Sequence, residues 1–171
     1  NYNVVVGDEA GTAITTGDNN VAIGFQALDA EDAHGGNVAI GRSALSTLNA
    51  GADGFNTAVG HLSGDLMTTG INNTLIGGLA GDALTDADNN VAIGWSALTA
   101  DTLGSRSTAI GRAALLAQNF TSATNSNNSA VGFNAGVAVT TGTGNTFVGS
   151  EAGDALTESN DNTAGGYFAL T

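Results

Sequence analysis

The sequence contains no cysteine, no proline and no lysine. Without cysteine there is no disulfide framework, no thiol nucleophile and no thiolate metal site. Without lysine there is neither a phosphate-loop lysine nor a Schiff-base lysine. The only cations are three arginines against 16 Asp and Glu, a formal net charge of −13, which argues against a nucleic-acid partner. Aromatic residues make up 5% of the chain, and alanine dominates the 42% that is hydrophobic. A thick core of Leu and Phe is therefore excluded, and thin, regularly stacked layers of small residues are favoured. No apolar run reaches the length of a membrane span, so membrane insertion is not expected. The chain opens at Asn1 with neither a signal peptide nor an initiator Met, which reads as a piece of a longer protein.

What the chain does have is a motif, Asn-x-x-Val/Ile-Gly, repeated ten times. Its glycines are Gly7, Gly24, Gly41, Gly60, Gly77, Gly94, Gly111, Gly132, Gly149 and Gly166. Seven of the nine intervals between them are 17 residues, and the other two are 19 and 21. With 26 Gly the composition alone would allow disorder. Disorder would not keep Val or Ile immediately before the motif Gly in nine of ten copies. A 17-residue unit is too short for a βαβ crossover and lacks the helical period. The chain is therefore read as a single all-β domain over 1–171, a β-solenoid with one coil per repeat. Ten coils at the strand spacing make a rod about 45–50 Å long.

Each column of the repeat carries its own expectation. Val, Thr or Ser stands three residues before the Gly and Val or Ile one before, as in Val21 and Ile23 or Thr57 and Val59. These point to one face of a strand, expected to be the inward face. Ala22, Ala39, Ala58, Ala92, Ala109 and Ala130 lie between them, predicting a smooth outer face for close packing against another surface. Gly24, Gly41, Gly60, Gly77, Gly94 and Gly111 are expected to turn corners that a Cβ would resist. Asn20, Asn37, Asn73 and Asn90, four before the Gly, predict a stacked amide ladder. Three after the Gly the residue is Ala or Ser in every copy, a second inward position kept small.

A longer period runs inside the short one. Coils one, five and nine resemble each other, and the residue four after Gly runs Gly, Leu, Leu, Gly, Gly, Leu, Leu, Gly, Gly, Leu. The larger unit is four coils, dividing the chain into 4–73, 74–145 and a partial 146–171. Single-coil stability does not call for such a period, so it is read as duplication of a module or as a surface pattern for a partner. On a regular stack Arg42 lies between Phe25 and His61, and Arg112 between Trp95 and Phe133. That predicts either a cation–π ladder or a solvated row of long side chains.

The segments NNVAIGFQAL (19–28), GNVAIGRSAL (36–45) and NNVAIGWSAL (89–98) resemble the Asn-Thr-Ala-Ile-Gly-x-x-Ala-Leu repeats of bacteriophage tail fibres and the head repeats of trimeric autotransporter adhesins. The resemblance covers essentially the whole chain. It implies left-handed β-rolls joined as homotrimers in stiff shafts or adhesive heads, at a cell surface or on a virion. The adhesin head repeat is shorter than the repeat here, and these residues include neither a membrane anchor nor a fibre chaperone segment.

Candidate sites are sparse. His34 and His61 fall in different columns without zinc spacing, and the abundance of Ser and Asp deprives any Ser/His/Asp set of meaning. The run from Gly77 to Gly81 is the repeat's own glycine, with no helix after it. Asp65, Asp82 and Asp154 share a column, and Asp18 and Asp88 match between superrepeats. These five are the candidates for Ca²⁺, the one cofactor considered, against the simpler reading of carboxylates splayed into solvent. The expected function is a non-enzymatic structural or adhesive fibre that binds itself, as a trimer or end to end, with a host-surface glycan or receptor as a further partner. The alternative is an ice-binding solenoid, which needs a flat, regular Thr array. A carbohydrate-processing β-helix would gather its carboxylates in a groove, whereas here they are spread along the chain.

Overall fold

A computed structural model describes residues 2–171. It contains no helix; its strands are all parallel and stacked one repeat apart, forming a β-solenoid of about ten turns. The main sheet is built from β1 (Val4–Val6), β2 (Val21–Ile23), β3 (Val38–Ile40), β4 (Thr57–Val59), β5 (Thr74–Ile76), β6 (Val91–Ile93), β8 (Thr108–Ile110), β10 (Ser129–Val131), β11 (Thr146–Val148) and β12 (Thr163–Gly165), in that spatial order. Register follows the repeat column by column: Val21 pairs with Val38, Ala22 with Ala39, Ile23 with Ile40. The short pair β7 (Gly104–Ser105) and β9 (Thr124–Asn125) forms a second sheet, and β9 lies within the 21-residue interval.

The strands are only three residues long because each coil turns several corners, and the turns are hydrogen-bonded from coil to coil as well. Leu28 N donates to Ala44 O at 3.0 Å, and Thr68 N to Thr85 O at 3.0 Å. Every motif glycine has a positive φ, from 122° at Gly166 to 147° at Gly60. The corner glycine is required for a second reason as well. A Cβ on Gly94 would lie 2.5 Å from Gly111 O, so the next coil occupies the space a side chain would take.

The two faces of the strand are the reverse of the sequence expectation. Ala22, Ala39, Ala58, Ala92, Ala109 and Ala130 are fully buried and point into the coil. The flanking Val, Ile and Thr point outward, half-buried by their own neighbours in most coils and more exposed at Ile76, Val131 and Val148. The lumen explains the reversal. It already holds Ala three after the Gly, such as Ala27, Ala44 and Ala97, and Leu four after, such as Leu28, Leu45 and Leu98. A pair of β-branched side chains at every level does not fit beside them. There is consequently no smooth outer Ala face.

The four-coil period also runs through the core. The inward strand residue is large in coils one, five and nine (Val5, Leu75, Phe147) and Ala elsewhere. Where it is large, the residue four after the Gly is glycine. A Cβ on Gly64 or Gly81 would lie within 2.9 Å of a Leu75 methyl, and one on Gly136 2.8 Å from Phe147 Cδ2. Large strand residues are thus accommodated by glycines in their own coil and in the coil before. Internal packing couples the glycines four after the motif Gly to the large strand residues of the longer period.

Candidate functional site

The amide ladder is present and buried. The side-chain oxygen of each Asn accepts the backbone N–H of the next coil's residue in the same column: Asn3 from Asn20 (2.8 Å), Asn20 from Asn37 (3.0 Å), Asn56 from Asn73 (2.9 Å), Asn73 from Asn90 (2.9 Å). The amide nitrogens close the turn carbonyls, Asn73 Nδ2 to Ala87 O at 2.8 Å and Asn90 Nδ2 to Gly104 O at 2.9 Å. Ser107 replaces Asn in one coil, and there Gln118 bridges the gap. Gln118 Nε2 donates to Ser107 Oγ at 2.8 Å, and its oxygen accepts from Asn128 Nδ2 at 2.8 Å.

A third core column, seven residues after the Gly, went unread in the sequence. It runs Ile14, Glu31, Leu48, Met67, Leu84, Asp101, Gln118, Val139, Leu156. Glu31 and Asp101 are fully buried carboxylates in a column that is otherwise apolar except for Gln118, each in the coil before a lengthened one. Glu31 accepts from the backbone N–H of His34 (3.2 Å) and of Ala50 (3.3 Å). Asp101 accepts from Gly104 N (3.0 Å), Phe120 N (3.1 Å) and Gln118 Nε2 (2.6 Å). Ala50 and Phe120 occupy equivalent places, nine after Gly41 and Gly111, where the extra residues enter. The two acids therefore hold the chain where it leaves the regular coil, a desolvated carboxylate being tolerable when it takes several N–H donors. Lining up the column would have revealed them, because acids there interrupt a run of Ile, Leu, Met and Val.

The outer columns hold the remaining candidates. Arg112 is sandwiched, its guanidinium carbon 4.9 Å from the Trp95 ring centroid and 5.4 Å from that of Phe133. Trp95 in turn lies against Gly78, where a Cβ would make an ordinary 3.4 Å contact with Cδ1. In the first superrepeat a hydrogen bond takes the place of that sandwich: Arg42 Nη1 lies 3.0 Å from His61 Nε2. Phe25 is exposed in the same column.

Among the Ca²⁺ candidates, Asp65 and Asp82 are neighbours in their column, each capped by a hydroxyl from the far side. Ser46 Oγ donates to Asp65 at 2.6 Å, and Thr99 Oγ1 donates to Asp82. Asp154 has a buried oxygen without a hydrogen-bond partner. Asp88 accepts from Ile71 N at 2.8 Å. Asp18 lines an open cleft of about 440 Å³ with Thr16, Asn19, Ala33, Gly36, Asp53 and Phe55. No three of the five acids bring ligand atoms within 4.8 Å of one another; among the described residues that holds only for Glu31, Asp32 and His34. The Glu31 carboxylate in that group is already engaged by two backbone N–H groups.

Burial, then the charge of Asp65, push the Asp82 carboxyl above its ordinary value of 3.8. A raised acid favours folding while protonated, and that contribution is lost as pH rises through its folded-state pKa. Asp82→Asn is accordingly expected to stabilise the protein at pH 7 by about 0.5 kcal/mol after solvent screening. The gain should vanish once the pH falls below the ordinary carboxylate range. Thermal melts of both proteins at pH 7 and pH 3 check this; equal melting temperatures at pH 7 would refute it.

No helix is long and apolar enough to cross a membrane among the described residues. No family model matches the chain, and neither a curated protein nor a solved structure matches it.

Proposed function

We propose that this chain is a non-enzymatic structural or adhesive rod that associates with copies of itself, as a trimeric shaft or a filament, outside the cell or on a virion. The observation that carries the reading is the continuity of the stack: one in-register parallel sheet runs from β1 to β12 with no break. Such a stack resists bending because every coil is hydrogen-bonded to both neighbours around its circumference. The chemistry of the acids supports a structural role. Those that are buried hold backbone N–H groups, and the exposed ones follow separate columns along the rod. A host-surface glycan or receptor would meet the variable outer columns, where Phe25, Trp95 and Tyr167 are exposed. Electron microscopy with light scattering tests the reading. Uniform rods of more than one chain are expected, and a monodisperse monomer would refute self-association.

A second reading, ice binding, gains one observation. Thr57, Thr74, Thr108, Thr146 and Thr163 stand outward on the main sheet, where the sequence had placed their column inside. Val4, Val21, Val38 and Val91 interrupt that Thr column. Thermal hysteresis measured on the purified protein separates the two readings.

A further inference from the structure

We infer that the outward face of the ten-stranded sheet is the surface through which one copy of this chain docks on a second copy. The inference rests on the self-association reading above and names its interface. The face consists of two columns, three and one before each motif Gly. The nearer column is Val6, Ile23, Ile40, Val59, Ile76, Ile93, Ile110, Val131 and Val148, ending at Gly165. The farther one holds Val, Thr and a single Ser. Because register is kept strand by strand, each side chain stands over its counterpart, and the surface is periodic along its length.

Charge singles out this face. The chain carries −13, yet neither column contains a charged residue. Two copies meeting through an acid-bearing column would bring like carboxylates together and strip them of water. Meeting through the sheet face, they bury only methyl groups and hydroxyls. The surroundings fit an interface with an apolar centre and a polar rim: the corner beside the face bears exposed Asn19, Asn72, Asn89 and Asn127.

Area is also sufficient. The face is about 45 Å long at the strand spacing and about 12 Å wide with its side chains. Two copies would remove about 1,000 Å² from water, the lower limit of area for a biological interface. The face, uncharged throughout and apolar along its nearer column, measures about 500 Å² on each copy, comparable with the largest patch that a monomer ordinarily leaves uncovered. A second copy offers the same repeat spacing, so ridges of Ile and Val on one rod meet grooves of matching period on the other.

The test compares the wild type with the double substitution Ile40→Glu and Ile93→Glu, using Thr141→Glu, in an exposed turn off the face, as control. Mass by light scattering, circular dichroism and thermal hysteresis are measured on all three. The expected result is an assembled wild type and control, and a double variant of 16.7 kDa with an unchanged β spectrum. If the charged pair prevents folding, Ile40→Thr with Ile93→Thr replaces it, and at least a tenfold weaker association is expected. An assembled double variant overturns the interface while leaving self-association intact. A monomeric wild type overturns both. A monomer whose thermal hysteresis disappears in the double variant assigns the face to ice instead.

Discussion

Gly94→Ala is expected to destabilise the protein by about 4 kcal/mol or more, in the range reserved for changes that the fold cannot absorb. Two effects combine. The φ of 134° at Gly94 lies in a region that L residues scarcely enter. The added Cβ would also sit 2.5 Å from Gly111 O and 2.6 Å from Gly111 C. These are backbone atoms of the next coil, held by the bond from Gly111 N to Ile93 O at 2.7 Å. They can yield only if the coils part, which breaks the β6–β8 pairing. Gly78→Ala is the matched control. Its Cβ would make an ordinary 3.4 Å contact with Trp95 Cδ1 without backbone strain, and a change within about 0.5 kcal/mol is expected. Urea unfolding of the two variants beside the wild type decides the matter. Equal stabilities would mean that the corner needs glycine for neither reason.

The second large effect concerns volume. Leu75→Ala is expected to cost about 3 kcal/mol, since a fully buried Leu leaves a cavity between Gly64 and Gly81. Gly81→Leu alone overpacks the same space, its Cβ falling 2.8 Å from Leu84 Cδ1 and 2.9 Å from Leu75 Cδ2, at about 1–3 kcal/mol. Together the substitutions give coil five the core residues of coil three, with Ala39 on the strand, Leu45 four after the Gly and Leu48 seven after it. The backbone accepts this exchange, because Gly81 has φ 57° and Leu98 has φ 55°. The double variant should therefore be markedly more stable than the sum of the single changes predicts, by about 2–3 kcal/mol. A double-mutant cycle in urea measures the coupling. Simple additivity would show that the four-coil period does not arise from layer packing.

Much of the fold was legible in the sequence. Ten motif glycines at near-constant spacing required one coil per repeat, and β-branched residues flanking them marked the strand. The Asn column was read correctly as a ladder, because an amide repeated at every level has its own copy as the nearest neighbour. Glu31 and Asp101 escaped notice because isolated acids in an acidic chain carry no signal. Their meaning appears only beside Leu48, Met67 and Leu84 in the same column.

The stack, its parallel register and the number of its coils were set by the sequence alone, because a repeated column can satisfy itself only by lying over its own copy. Which side of the strand faces inward was decided by the tertiary structure. Alternation along a strand defines two faces but does not say which one is buried. That choice depends on how much room the rest of the coil leaves, and here Ala27 and Leu28, with their counterparts in other coils, leave room for Ala22 but not for Val21 and Ile23. The same limited lumen pairs Leu75 and Phe147 with glycines of their own coil and of the coil before. It also turns the Val, Ile and Thr columns toward the solvent, where a second copy can meet them.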